Sequence, residues 1–169
     1  MKIYLIGYMA AGKSRLGKEL SSLTGLGFAD LDDLFEEKYR IGIVDFFDKY
    51  GEATFRQIEH QLLFDTALLD NVIIATGGGT ACSEENMAFI RKNGVSIYIR
   101  METGLLTERL KNIKRARPLL KNVPPDELEQ FVRNQVQERE HFYLQADHIF
   151  DAPLSDYSTL ADLINGLKK

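Results

Sequence analysis

A single cysteine, Cys82, stands among the 169 residues. That count excludes an intramolecular disulfide framework and a cysteine metal cluster, and it fits a chain kept in a reducing cytoplasm. Apolar runs are short as well, and none approaches the roughly 20 residues that a membrane-spanning helix requires. Positive charge is scarce: 21 lysines and arginines against 25 aspartates and glutamates give a formal net charge of -4. A nucleic-acid binder with a wholly positive surface is thereby excluded, although a local basic patch is not. Lys2, the apolar residues after it and the Ala10-Ala11 pair sketch a secretory signal only crudely. Gly7 interrupts the run, and Lys13 and Arg15 follow at once, so export is not expected.

What is present is a regular alternation. Residues 2–6 are apolar and β-favouring, and Leu16, Leu20 and Leu23 then recur at helical spacing as far as Gly25, a natural helix stop. "GFADLDD" (27–33) reads as a second short strand ending in acids, followed by helical stretches broken near Gly42 and Gly51. A longer helix is expected over 52–69, with Phe55, Ile58, Leu62 and Leu69 on its apolar face. "VIIATGGG" (72–79) is a buried strand bounded by glycines. The helix after it has Ser83 as its N-cap and Glu84 and Glu85 in its first turn. "VSIYIR" (95–100) is another strand, with a helix over 102–112 behind it. The basic, proline-punctuated stretch 111–125 reads as a mobile loop. Pro124-Pro125 opens a helix to about Leu144, "HIF" (148–150) is a last strand, and the tail from Ser155 is helical. Strands alternating with helices predict one α/β domain over 1–169, a central parallel sheet of about five strands with helices on both faces.

Residues 7–14, "GYMAAGKS", match G-x-x-x-x-G-K-[ST] between a predicted strand and a predicted helix. The chemistry of that pattern is specific. Loop amides and the positive end of the helix surround a β-phosphate, Lys13 neutralises the β and γ oxygens, and the Ser14 hydroxyl ligates Mg²⁺. The chain is therefore expected to bind a nucleoside triphosphate. No guanine-reading N-K-x-D stretch occurs, which removes the GTPase class, and the short chain leaves little room for the subdomains of motor ATPases. A small-molecule kinase is the leading class.

Ligands of α/β sheets gather beyond the carboxyl ends of the strands, so the acceptor site is sought there. In an extended segment Asp30 and Asp32 would point to one side, as needed to hold a metal water and an acceptor hydroxyl together. The competing account is that Asp32 or Asp33 caps the next helix. Gly77, Gly78 and Gly79 either let a ligand lie on backbone amides or form a plain loop. Arg139 falls along the stripe of Leu128, Val132, Val136 and Tyr143, where it either snorkels to solvent or binds an anion. Arg56 has Glu52 and Glu59 four before and three after it, the spacing of helix-surface pairs. Arg117, beside Pro118, is placed to reach over the phosphates as a lid residue, or belongs to a solvated charge run or a nucleic-acid patch. The expected reaction is phosphate transfer from ATP to a hydroxyl of a small anionic substrate.

"GYMAAGKS", "FADLDD", "GEATFRQIE", "TGGG", "RARPLL" and "EREHFY" occur in that order and at family-like spacing over nearly the whole chain. The pattern resembles shikimate kinase. The resemblance implies the P-loop kinase fold, with acceptor-binding helices at about 33–60 and a lid at about 111–124. It implies the conversion of ATP and shikimate to ADP and shikimate 3-phosphate in aromatic amino-acid biosynthesis, with Mg²⁺ as cofactor. Asp32 would contact the acceptor hydroxyl as its base, and Asp30, with Ser14, would hold Mg²⁺. Lys13 and Arg117 would act on the transferring phosphate, within a nucleotide site of Ala10, Ala11, Gly12, Lys13, Ser14, Arg15 and Arg117. Arg56 and Arg139 would bind the carboxylate, with Gly78 and Gly79 at the ring hydroxyls. Ala10 stands where the family often has glycine, Arg15 where it has threonine, and the proline common after the arginine corresponding to Arg139 is absent. Arg109 and Pro153 are the candidates for packing on adenine. Rival readings are a gluconate or nucleoside monophosphate kinase and a catalytically silent ATP-binding module. No nucleic-acid or membrane partner is expected, and a cytoplasmic monomer is.

Overall fold

The computed structural model describes residues 1–113, 117–153 and 157–167. Strand β1 (Lys2–Ile6) shows why the fold takes a layered form. Successive strand side chains face opposite ways, yet Ile3, Tyr4, Leu5 and Ile6 are all fully buried. Both faces of the sheet must therefore be covered, as parallel strands require.

After β1 come α1 (Lys13–Thr24), β2 (Gly27–Asp30), α2 (Leu31–Tyr39), α3 (Ile43–Asp65), β3 (Val72–Ala75) and α4 (Glu84–Asn93). The chain continues through β4 (Val95–Met101), α5 (Thr103–Asn112), α6 (Leu128–Tyr143), β5 (His148–Ala152) and α7 (Ser158–Leu167). The five strands are parallel in the order β2-β3-β1-β4-β5. From β1 the chain first builds to one side, through β2 and β3, and then crosses to β4 on the other. The carboxyl ends of β1 and β3 flank that reversal, which is where ligands bind in such sheets. The expected fold class is the observed one.

Several boundaries differ from the sequence expectation. Leu23 is 54% exposed, while Thr24 is buried with its hydroxyl donating back to the Leu20 carbonyl at 2.6 Å. The apolar stripe of α1 thus ends at Leu20. The expected 52–69 helix begins earlier, at Ile43, and passes through a kink at Gly51, whose φ of 81° only glycine adopts without strain. It ends at Asp65, and a 3₁₀ turn over Thr66–Leu68 follows. The helix expected from Pro124 starts at Leu128, because a separate turn precedes it. Ser83 does cap α4, its Oγ accepting from Asn86 N at 3.1 Å. The expected helical tail begins at Ser158, and Ser155 lies outside the described residues.

The main core is built around the sheet. A satellite core of Phe35, Phe46, Phe55 and Leu62 ties α2 to α3. Phe35 meets Phe46 edge-on at 5.0 Å and 87°, a geometry worth about 0.5–1.5 kcal/mol beyond area burial. This second core fixes α2 against α3, the two helices that carry Asp32 and Arg56.

Candidate active site

The loop after β1 turns through Ala10, at φ 64°, and Gly12, at φ 95°, before α1 begins at Lys13. Lys13 is buried, and its Nζ donates to the carbonyls of Gly7 at 2.7 Å and Tyr8 at 2.8 Å. Burial lowers its pKa to about 8, against the opposing pull of Asp32. Ala10, Gly12, Lys13, Ser14 and Arg15 line a cleft of about 600 Å³, whose far wall includes Asp32 and Arg117. Ala11 faces instead a smaller pocket of about 230 Å³ shared with Arg109, Pro153 and Tyr157. Both residues proposed from sequence to pack on adenine are thus together there. Arg109 also donates from Nη1 to the Ala10 carbonyl at 3.1 Å and so braces the loop.

The two acids do not share an extended segment. Asp30 ends β2 and is itself the N-cap of α2, its Oδ1 accepting from Asp32 N at 2.9 Å. Asp32 lies in the first turn of that helix, so neither Asp32 nor Asp33 is the cap. The strand-to-helix corner nonetheless turns both Asp30 and Asp32 into the large cleft. Burial raises the pKa of the Asp32 carboxyl, the neighbouring Asp30 raises it further, and Arg117 opposes both. Arg117 Nη1 lies 3.6 Å from Asp32 Oδ2. Its Nε is buried without a hydrogen-bond partner among the described residues. An unpaired buried donor is costly, and an anion in the cleft would relieve it.

Beside the cleft is a recess of about 60 Å³, lined by residues that include Asp32, Arg56, Glu59, Gly78, Arg117 and Arg139. Arg56 does make the helix-surface pairs that spacing suggested, with Glu52 at 3.2 Å and Glu59 at 2.7 Å. Glu59 is only 4% exposed, however, and also accepts from Thr80 Oγ1 at 2.6 Å. It is a clamp that sequence reasoning left among surface pairs. Its spacing of four from Phe55 and three from Leu62, both buried, was the available signal. Arg139 is held by neutral groups: Gln135 Oε1 at 2.6 Å, the Gly78 carbonyl at 3.4 Å and the Tyr8 ring at 5.5 Å. Among the described residues no carboxylate pairs with it.

The glycines at 77–79 are closely approached by their neighbours. A Cβ on Gly78 would stand 2.8 Å from Met9 N, and one on Gly79 would stand 2.7 Å from Arg56 Nη1. One on Gly77 would overlap Glu59 Oε1. The turn Pro118–Leu120 lies against α3, and Lys121 Nζ reaches Asp48 Oδ2 at 2.7 Å. The part of the expected lid at 114–116 lies outside the described residues.

Comparison with known proteins gives the family of the chain. The family model described as shikimate kinase matches residues 9–165. The shikimate kinase of Parabacteroides distasonis is 38% identical over 169 residues, covering 99% of this chain and 98% of that protein. The crystal structure of shikimate kinase from Bacteroides thetaiotaomicron superposes with a TM-score of 0.89 at 35% identity, covering 99% of this chain and 98% of that one. Shikimate kinase from Acinetobacter baumannii, solved in complex with shikimate, gives a TM-score of 0.85 at 31% identity over 99% and 92% of the two chains. A deoxyadenosine kinase from M. mycoides shares the fold alone, with a TM-score of 0.61 at 21% identity. The chain belongs to the shikimate kinase family.

Proposed function

We propose that the chain transfers the γ-phosphate of ATP to the 3-hydroxyl of shikimate, a step of aromatic amino-acid biosynthesis, within one catalytic unit spanning 1–169. One observation carries the reading. Two guanidinium groups from different helices, Arg56 and Arg139, line a recess that shares Asp32 and Arg117 with the nucleotide cleft. A carboxylate bound by the two arginines brings a ring hydroxyl toward the shared acid.

In this reading ATP lies in the 600 Å³ cleft with its phosphates on the amides of residues 10–15. Asp32, whose raised pKa makes it a stronger base than an ordinary aspartate, takes the proton of the acceptor hydroxyl. The oxygen bonds to the γ-phosphorus as the bond from that phosphorus to the β-bridging oxygen breaks, and ADP leaves. Arg117 exchanges Asp32 for the transferring phosphoryl group, and Lys13 exchanges loop carbonyls for phosphate oxygens. Orientation of the two substrates contributes roughly 7–11 kcal/mol to lowering the barrier. An arginine on the transition-state charge contributes on the order of 10³–10⁵ in rate in nucleotide hydrolases.

The donor set fits Mg²⁺. Ser14 Oγ is exposed in the cleft, and Asp30 offers the oxygen not used in capping, both hard ligands of the kind this ion takes with water and phosphates. When bound, the ion offsets charge on the β- and γ-phosphate oxygens. The recess of about 60 Å³ has room for little more than a few waters. Admission of a ring acid therefore calls for movement of the turn Pro118–Leu120 away from α3. We read the protein as a cytoplasmic monomer on its single cysteine and the lack of an unassigned apolar stripe.

The test is ADP release from ATP and Mg²⁺ with shikimate, gluconate and nucleoside monophosphates offered separately. Release that depends on shikimate supports the reading, and release with gluconate or a monophosphate alone replaces it. No release with any of them returns the chain to the class of silent ATP-binding modules.

A further inference from the structure

Arg139 and Tyr143 lie one turn apart on α6 and converge on a single atom, the carbonyl oxygen of Gly78. Tyr143 Oη donates to it at 2.5 Å and Arg139 Nη1 at 3.4 Å, while Cys82 Sγ approaches it at 3.8 Å. The Tyr143 ring is fully buried and packs against Tyr98 of β4 at 5.1 Å, so its hydroxyl is held in place by the core. The backbone of Met9 lies so near Gly78 that a Cβ there would stand 2.8 Å from Met9 N. The peptide that joins Gly78 to Gly79 is consequently gripped at its carbonyl end.

That grip has a consequence at the other end. In a trans peptide the C=O and N–H bonds point in opposite directions, so fixing the Gly78 carbonyl toward α6 turns Gly79 N–H away from it. Arg56 lies over Gly79 on the α3 side of the recess. Strong donors on a carbonyl also polarise its peptide and strengthen the N–H of the same unit as a donor.

We propose that Tyr143 is a positioning residue for the acceptor, acting through the Gly78–Gly79 peptide. Its hydroxyl sets the plane in which Gly79 N–H faces the bound acid and gives Arg139 a fixed neighbour on the same carbonyl. Tyr143 itself does not touch the substrate. The proposal rests on the acceptor recess described above, and it gives a role to an uncharged residue of the "EREHFY" stretch to which the sequence reading assigned none.

Tyr143→Phe keeps the ring and its packing and removes only the donor. Arg139→Ala is measured beside it, with kcat, KM for shikimate, KM for ATP, ADP affinity and thermal stability read for both. Loss of one buried hydrogen bond is expected to raise the shikimate KM of Tyr143→Phe roughly three- to tenfold, with kcat and KM for ATP within about a factor of two. Unchanged ADP affinity reports that the variant is folded. An unchanged shikimate KM in Tyr143→Phe, with or without a lower Tm, overturns the positioning role. If Arg139→Ala raises KM in that case, the recess reading stands without the tyrosine. If Arg139→Ala also leaves the shikimate KM unchanged, the recess reading itself has failed and the proposal falls with it.

Discussion

Arg117 Nη1 stands 3.6 Å from Asp32 Oδ2, on the border shared by the nucleotide cleft and the acceptor recess. The pair joins the residue proposed to take the proton to the residue proposed to receive the phosphoryl charge. Its guanidinium also opposes the rise that burial and the neighbouring Asp30 impose on the pKa of the carboxyl. Removing either partner should therefore damage a different step.

Asp32→Asn removes the base and is nearly isosteric. Turnover is expected to fall by at least the roughly 10²–10⁴-fold ascribed to a positioned base, with ADP affinity nearly unchanged. In the unaltered enzyme the acid limb of kcat/KM should lie above the ordinary aspartate value of 3.8, since the group must lose its proton to act and its pKa is raised. A pH–rate profile checks this, and normal turnover by the Asn variant would reduce Asp32 to a helix-turn residue.

The three arginines should separate by kinetic parameter. Arg117→Ala is expected to lower kcat chiefly, because its charge is used as the phosphoryl group transfers. Arg56→Ala and Arg139→Ala should instead raise the shikimate KM, with Arg56→Ala also leaving Glu59 buried beside a lost partner. Steady-state kinetics with shikimate varied at saturating ATP distinguishes them. Shikimate KM values like those of the parent would remove the carboxylate clamp.

The two glycines of the recess should respond differently to alanine. At Gly79 the new methyl meets the end of a flexible arginine, which can move aside. Gly79→Ala should therefore fold normally and bind shikimate more weakly. At Gly78 the methyl meets the Met9 backbone, which cannot move without the phosphate loop. Gly78→Ala should lose about 1–3 kcal/mol of stability, the usual range for overpacking, and thermal melts of both variants measure the difference.

Lys13 couples nucleotide binding to protons. Its amine titrates near 10.5 unfolded and at about 8 folded, so between those values the unfolded chain holds the additional proton. Its contribution to stability accordingly rises with pH across that window and is lowest below about 8. Phosphate oxygens favour the charged amine, so binding above the folded value draws in a proton. ADP affinity should weaken as pH rises from about 8 toward 10.5, with proton uptake visible by calorimetry in buffers of different ionisation enthalpy. An affinity flat over that range contradicts the assignment of Lys13.

The phosphate loop, the strands and the Ser83 cap were legible in the sequence because each depends on neighbours within a few positions. A strand needs only a short apolar run, and a cap only a hydroxyl three residues before an amide. The position of Arg117 in the basic stretch and the place of Arg139 on an apolar stripe also marked them as candidates, whereas the spacing of Arg56 pointed to surface pairs and only the family resemblance gave it a binding role. Their meeting was not legible, since Arg139 reaches Gly78 across 61 residues of chain. Local spacing likewise gave Asp30 and Asp32 a shared side through an extended segment, whereas a helix cap turns them together. It left Glu59 among surface pairs, whereas packing of α3 against the glycine turn buries it. Periodicity can say that a side chain lies on an apolar face, but what covers that face depends on elements brought in from elsewhere in the chain. The sequence by itself therefore determined the phosphate-binding half of the site, which is contiguous. The proposed acceptor half was decided by the tertiary structure, because its charges come from four separate segments and acquire their partners only when the sheet and the satellite core are packed.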